Sequence, residues 1–337
     1  MRKELIWAAG IGIFFGLVIA FGAWRINSSL KTKTAIPTPT PNSQNITTAS
    51  ITLDKPENDD VVTVTPVTVS GITKPLTWLV FSGEKGDYIV QSDETGVFSQ
   101  DVDLAAGTNQ IEVTSLDNQG NQAAQKIIVV YSSSFQLNPG ASPTPSSATS
   151  ESDISKAVAQ KVAEASKNPK AYIGTVTDIA DSTIQIKTID SQIQQVDISG
   201  NGITVVNIVG TNNKTVKLTD VAIGDFIVAM GYVNGNQVLN AQRILITDPV
   251  TEPKISISLS NVTAVSKKSL TVTDVKSGQG SSITPDKNTD LESFANGKET
   301  ATKITSINKN DLVIYVSDTT GTPAIVRSIF DIGPSQG

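Results

Sequence analysis

The sequence predicts an all-β protein with one N-terminal transmembrane helix, built as an antiparallel β-sandwich followed by two tandem small β-barrels. Three observations carry this reading. Residues 5–24 run for twenty positions without a charge. From Ile51 onward apolar and polar residues alternate with period two between turn-forming residues, the pattern of half-buried strands. The C-terminal half of the chain matches itself at a shift of 86 residues.

The uncharged run LIWAAGIGIFFGLVIAFGAW is long enough, at about 1.5 Å per residue, to cross the hydrocarbon core of a bilayer. Trp7 and Trp24 stand near its ends, where indoles favour the interface, and Gly12 and Gly16 form a GxxxG. A cleaved signal peptide would have a shorter apolar core and an A-x-A-like site, and Ala20-Phe21-Gly22 is a poor one. Residues 1–24 are therefore read as an uncleaved signal anchor. Basic residues flank it on both sides, Arg2 and Lys3 before and Arg25, Lys31 and Lys33 after, so local charge does not set orientation. The downstream Thr/Ser/Asn-rich composition without cysteine suits the outside of a cell. The expectation is a single-pass cell-membrane protein with an extracytoplasmic bulk.

Residues 25–50 contain Pro37-Thr38-Pro39-Thr40-Pro41, and alternating proline favours extended polyproline II, a semi-rigid spacer. Residues 133–152 repeat the device with Pro139, Pro143 and Pro145. Between this linker and the repeats, residues 153–169 hold Ile154, Val158, Val162 and Ala165 on one narrow helical stripe, ended by Asn168-Pro169. A short docking helix is expected there.

Residues 51–132 carry the sandwich. Val67-Val69, Trp78-Val80, Ile89, Phe98-Val102-Leu104, Ile111-Val113 and Ile127-Val129-Tyr131 alternate, with turns at Gly83–Gly86, Asp93–Gly96, Gly107 and Asp117–Asn121. Val67-Thr68-Val69-Ser70-Gly71, Asp93 to Phe98 and Leu104 to Ile111 resemble a bacterial immunoglobulin-like family, the type found as an accessory domain in secreted glycosidases such as glucodextranase. The resemblance implies an immunoglobulin-like fold and an envelope setting, and it does not extend to glycosidase chemistry. Trp78 is the one candidate ligand-binding residue, because a lone tryptophan often stacks on sugars; a core or sheet-face role competes. Glu57, Asp59, Asp60, Asp101 and Asp103 are oxygen donors of the kind calcium takes, but no D-x-[DN]-x-[DN]-G loop organises them.

In the repeat, Val176 to Ile186 lies over Val262 to Val272, and Lys217 to Val228 lies over Lys303 to Ile314, both at a shift of 86. Arg243 and Arg327 match after a two-residue gap. Residues 170–248 and 254–333 are thus read as two copies of one domain of five or six strands, for which closure into a barrel would remove exposed edges. Gly174-Thr175-Val176, Val216 to Asp220, Gly224-Asp225 and Ala241 to Ile244 resemble a small β-barrel envelope repeat of unknown function, similar in outline to the oligonucleotide-binding barrel. The second copy departs from it, with Asn310 in place of Gly224. Phe226 and Tyr315 read as core, and Arg243 and Arg327 as structural cations pairing with carboxylates. Composition also keeps the two halves apart: the polar stretch from about Ser132 to Ser152 offers nothing apolar to bridge them, whereas the short Asp248–Pro253 join places the two barrels close together.

The 337 residues include no cysteine and no histidine. Thiol and imidazole nucleophiles, Cys/His zinc sites and disulfides are thereby excluded. Ser-x-x-Lys occurs at Ser28, Ser82 and Ser306 without companion motifs, and no P-loop or Gly-x-Ser-x-Gly is present. No catalytic, cofactor-binding or metal residue is assigned. Residues 50–133 hold twelve acidic and four basic side chains, and no later segment carries a basic excess. Phosphate-backbone binding needs such an excess, so nucleic acid is not an expected partner. The function expected is a non-enzymatic surface protein for adhesion, assembly or envelope spacing. Its partners would be the membrane through residues 5–24 and an envelope protein or glycan; the alternative is a carbohydrate- or cell-wall-binding module protein.

Overall fold

A computed structural model describes residues 50–136, 168–210, 212–249, 251–295 and 297–334. The expected anchor at 5–24, the linker at 25–50 but for its last residue, most of the linker at 133–152 and the helix over 153–167 lie outside these residues. No described helix is long and apolar enough to cross a membrane. The described residues form strands, with two short 3-10 turns at Leu218–Asp220 and Ile304–Ser306.

The first eight strands are β1 (Ile51–Lys55), β2 (Asp60–Val62), β3 (Val67–Thr73), β4 (Trp78–Ser82), β5 (Asp87–Gln91), β6 (Val97–Val102), β7 (Gly107–Leu116) and β8 (Gln122–Tyr131). They form two facing sheets, β1-β3-β6 and β5-β4-β7-β8-β2. Val69, Phe98 and Val102 from the first meet Leu79, Phe81, Ile111, Val113, Ile127 and Val129 from the second in one core, which is the period-two pattern made physical. The acidic turns build themselves. Asp93 accepts from the backbone N–H groups of Thr95 and Val97 at 2.8 and 2.9 Å, and Asp117 from those of Gln119 and Asn121 at 2.9 Å.

The first copy comprises β9 (Lys170–Ala180), β10 (Thr183–Thr188), β11 (Ile193–Asp197), β12 (Thr204–Val209), β13 (Asn212–Val216), β14 (Phe226–Val233) and β15 (Val238–Thr247). The second comprises β16 (Ile255–Val265), β17 (Leu270–Asp274), β18 (Gly280–Ile283), β19 (Asp290–Ala295), β20 (Lys298–Ala301), β21 (Asp311–Asp318) and β22 (Ile325–Pro334). Local structure recurs faithfully between them. Thr177 is the extra residue of a bulge against β10 and its hydroxyl donates to the Gln185 carbonyl at 3.2 Å; Thr263 does the same against β17, to the Thr271 carbonyl at 3.1 Å. The N–H of Gly224 bonds to Val176 and that of Asn310 to Val262, at 2.9 and 2.8 Å. Both residues have φ above zero, at 97° and 76°, a conformation Asn tolerates next best after Gly. The departure at Asn310 therefore leaves the turn intact.

Two separate closed barrels do not form. In the first copy the pairings run β9-β10-β11-β15-β14 and return to β9, with β11 and β15 parallel. This ring is embedded in a larger sheet, because β12 and β13 extend it from β15 and Asp60 of β2 pairs with Lys170 of β9. A twelve-stranded sheet thus runs unbroken from the sandwich into the first copy. The second copy is an open seven-stranded sheet, β18-β17-β16-β21-β22-β19-β20. By the β14/β15 and β21/β22 registers, Val238 to Asn240, which hold β11, correspond to Pro323 to Ile325. Pro323 has no N–H to offer a ladder, and β18 stays unpaired with β22.

The arginine match is corrected by the same registers. Met230 pairs with Arg243 and Val316 with Ser328, so the partner of Arg243 in the second copy is Ser328. Arg327 is the extra residue of its bulge, the place that Gln242 takes in the first copy. The gap drawn from sequence was one residue too long, because an Arg–Arg identity outweighed a bulge it could not register.

Candidate functional site

Each copy has an inner core and an apolar outer face. Val176, Ile184, Ile186, Val221, Ile227 and Ile244 fill the first core, and Val262, Leu270, Val272, Ile307, Val313 and Ile329 the second. The residues between them point the other way. Ala171, Ile173, Val228, Met230 and Leu245 in the first copy, and Ile257, Leu259, Ile314, Val316 and Phe330 in the second, form equivalent outer faces. Strand β14 is therefore apolar on both sides, which is why its sequence reads FIVAMGYV without alternation. Phe226 is buried as expected, in the cluster on the outer face, and Tyr315 packs against the inner core as expected.

Both outer faces are covered by the sandwich. Val61, Val130 and Phe135 lie on the first, and Trp78, Val80, Ile89 and Leu116 on the second. Except for Phe135, just beyond β8, these residues stand on the strands of one sheet, β5-β4-β7-β8-β2, whose core side is already filled. Strand β4 is buried at every position for this reason. Among the described residues no apolar cluster joins the two copies to each other. The sandwich is the hub, and modules separated in sequence are joined in space through their strand faces, with Phe135 of the 133–152 stretch, read from sequence as offering nothing apolar, packed on the first.

Trp78 falls in this interface. It is 9% exposed and meets Phe294 edge-on, with ring centroids 4.8 Å apart and planes at 86°. A sugar ring has no open indole face to stack on there, so the residue acts as a docking side chain.

Polar clamps flank each apolar contact. Lys170 Nζ lies 2.8 Å from both Glu57 Oε2 and Asp60 Oδ1, and it donates to the Asn58 carbonyl at 3.2 Å. The bond from Lys170 draws the Glu57 carboxyl below its usual range. Burial opposes the charge on Lys170, but Asp60 and Glu57 carry its pKa upward. Beside them burial pushes the Asp59 carboxyl up to about 6, against the pull of Lys170. At the second junction the Asp87 side chain is fully covered. Its Oδ1 lies 3.1 Å from the Arg327 guanidinium, and its Oδ2 accepts from Ser328 at 2.7 Å. Arg327 also donates to the Gly83 carbonyl at 2.8 Å, and Glu299 accepts from the Ile89 N–H at 2.5 Å. Burial raises the Asp87 carboxyl above its ordinary value although Arg327 and Ser328 favour its charge.

The acidic residues noted from sequence are not brought together as a cation cage. Glu57 and Asp60 face Lys170, Asp101 accepts from Thr68 at 2.6 Å, and Asp103 accepts from Tyr88 at 3.1 Å. Sequence reasoning missed Lys170, Asp87, Phe135 and Phe294. The signal that could have found them is the doubly apolar reading of β14 and β4, which demands a cover on the second face.

Among the described residues, cavities border the junctions. One of 340 Å³ lies beside Asp87, Asn288, Asp290, Arg327 and Ser328. Another of 530 Å³ is lined from all three modules, by Gly107, Thr108, Val228, Leu245 and Asp318 among others. A third, of 320 Å³, lies between the end of the sandwich and the first copy, at Ser134 to Gln136, Asn201, Thr204, Gln242 and Arg243.

No family model matches the chain, and no curated protein matches it. Several solved structures overlap it. A bacterial ice-binding adhesin of 1.5 MDa, described for host cell surface retention, is 12% identical over 85% of this chain and 98% of that one, with a TM-score of 0.20. A tetra-tandem repeat from the extending region of a large adhesion protein is 14% identical over 86% and 74%, with a TM-score of 0.22. Trypsin-activated alpha-2-macroglobulin from Escherichia coli is 8% identical over 85% of this chain and 23% of that one, at 0.21. Overlaps at these scores carry no argument about the fold or role of this chain.

Proposed function

We propose that the chain is a membrane-anchored, extracytoplasmic surface protein without enzymatic activity. In this reading an immunoglobulin-like sandwich and two repeat copies form one block, held off the membrane on Pro/Thr linkers for adhesion, assembly or envelope spacing. The observation that supports it is the division of one sandwich sheet's outer face between the equivalent apolar faces of the two copies. Burying those faces makes three small modules behave as one rigid spacer, which suits display more than turnover. The carbohydrate-binding alternative loses its candidate, since Trp78 is spent on docking. Protease shaving of intact cells tests the proposal: the β block is released from the surface, and protection of the block until lysis would sink the reading.

A further inference from the structure

The registers place the 320 Å³ and 340 Å³ cavities at the same position in the two copies. Thr204 pairs with Arg243 across the parallel β12/β15 ladder, as Asp290 pairs with Ser328 across β19/β22. Gly202, Thr204, Ala241, Gln242 and Arg243 of the first cavity thus correspond to Asn288, Asp290, Val326, Arg327 and Ser328 of the second.

In the second copy this position holds a carboxylate. Arg327 forms an ion pair with one oxygen of Asp87 and Ser328 donates to the other, the carboxylate being delivered by the sandwich on its β4–β5 hairpin. Among the described residues no carboxylate arrives in the first copy: the cavity is lined by the neutral Ser134, Phe135, Gln136, Asn201 and Thr204, and Arg243 is the charged residue of that described lining. Its Nε is buried without a hydrogen-bond partner, and among the described residues Arg243 makes no ion pair. The Nε donor is closed off from solvent, so a docking carboxylate would meet the rest of this half-buried guanidinium, whose planar fork matches a carboxylate.

We infer that the Gln242–Arg243 cavity of the first copy is a binding site for a carboxylate carried by a polypeptide, an aspartate or glutamate side chain of a partner. A polypeptide source is favoured because an aspartate fills the equivalent position in the sister copy. Thr204 puts no charge beside Arg243, whereas Asp290, its counterpart, stands beside the filled site.

The chain has four arginines, Arg2, Arg25, Arg243 and Arg327, so its arginine Nε–Hε NMR spectrum is sparse and can be assigned with an Arg243→Lys variant. Titration of the full chain with the peptide N-acetyl-Gly-Asp-Gly-amide is expected to move the Arg243 signal saturably and to leave Arg327, already paired, in place. The asparaginyl peptide is expected to do nothing. Thr204→Asp, which keeps Arg243 and supplies an internal carboxylate, is expected to weaken the peptide about tenfold or more, the weight of one charge-assisted hydrogen bond. An Arg243 signal that stays fixed overturns the inference. So does equal movement with the asparaginyl peptide, or tighter binding of inorganic phosphate or glucuronate than of the aspartyl peptide.

Discussion

At the junction with the first copy, the sandwich contributes Val61, Val130 and Phe135, a strand pair at Asp60–Lys170, and an ion cluster around Lys170 that is partly open to water. At the junction with the second copy it contributes Trp78, Val80, Ile89 and Leu116, no strand pair among the described residues, and a carboxylate sealed against Arg327. The same apolar face of the repeat is met in both cases. The difference lies in what fixes the orientation: backbone pairing in one, a buried charge in the other. A sheet ladder is directional and tolerates exposed ions around it. A contact made of side chains alone needs a desolvated polar pair to define its register, and that pair becomes its weak point.

The two junctions should part most sharply at Trp78. Trp78→Ala removes the largest side chain of the second junction and should cost about 3 kcal/mol in urea unfolding, with the second copy unfolding before the rest. No comparable split between sandwich and first copy is expected.

Arg327→Met leaves Asp87 buried without its cation and should cost about 2 kcal/mol at pH 7.5. The folded pKa of Asp87 is raised, so the cost of its charge is present at high pH and relieved as the pH falls. The deficit should therefore shrink toward pH 5, as followed by thermal unfolding across that range.

At the first junction Asp59 shows the same linkage sign, but removing its charge should stabilise rather than destabilise. Its carboxyl titrates near 6 in the fold, above its unfolded value, so ionisation weakens the fold between about pH 4 and 6. Asp59→Asn should stabilise by about 1 kcal/mol at pH 7.5 and make no difference at pH 4. Asn also accepts the positive φ of 64° that Asp59 adopts.

The smallest effect is expected at Lys126, whose pairs with Glu112 and Glu252 lie at the surface. Lys126→Ala should leave the unfolding midpoint unchanged within error.

Much of the β organisation was legible in the sequence because alternation reports one buried face. Val67-Val69 and Ile111-Val113 announced the sandwich core, and the shift of 86 carried the Thr177 and Thr263 bulges unchanged. What sequence could not report was the second buried face. Trp78 reads from sequence as core or sheet-face with sugar stacking as a rival, and the partner that decides it, Phe294, lies 216 residues away in the chain. The open second copy turned on Pro323, and the arginine register on a bulge, neither of which a residue match weighs. The candidate cavity at Arg243 was invisible for the same reason, since it exists where Ser134 to Gln136 meet the first copy.

Whether the sandwich holds both copies in one cooperative block is decided by differential scanning calorimetry of the full chain. The β modules are predicted to melt in a single transition in the wild-type protein, and to resolve into two in Trp78→Ala with the second copy leaving first. Separate transitions for the sandwich and the copies in the wild-type protein, unaltered by Trp78→Ala, would contradict it.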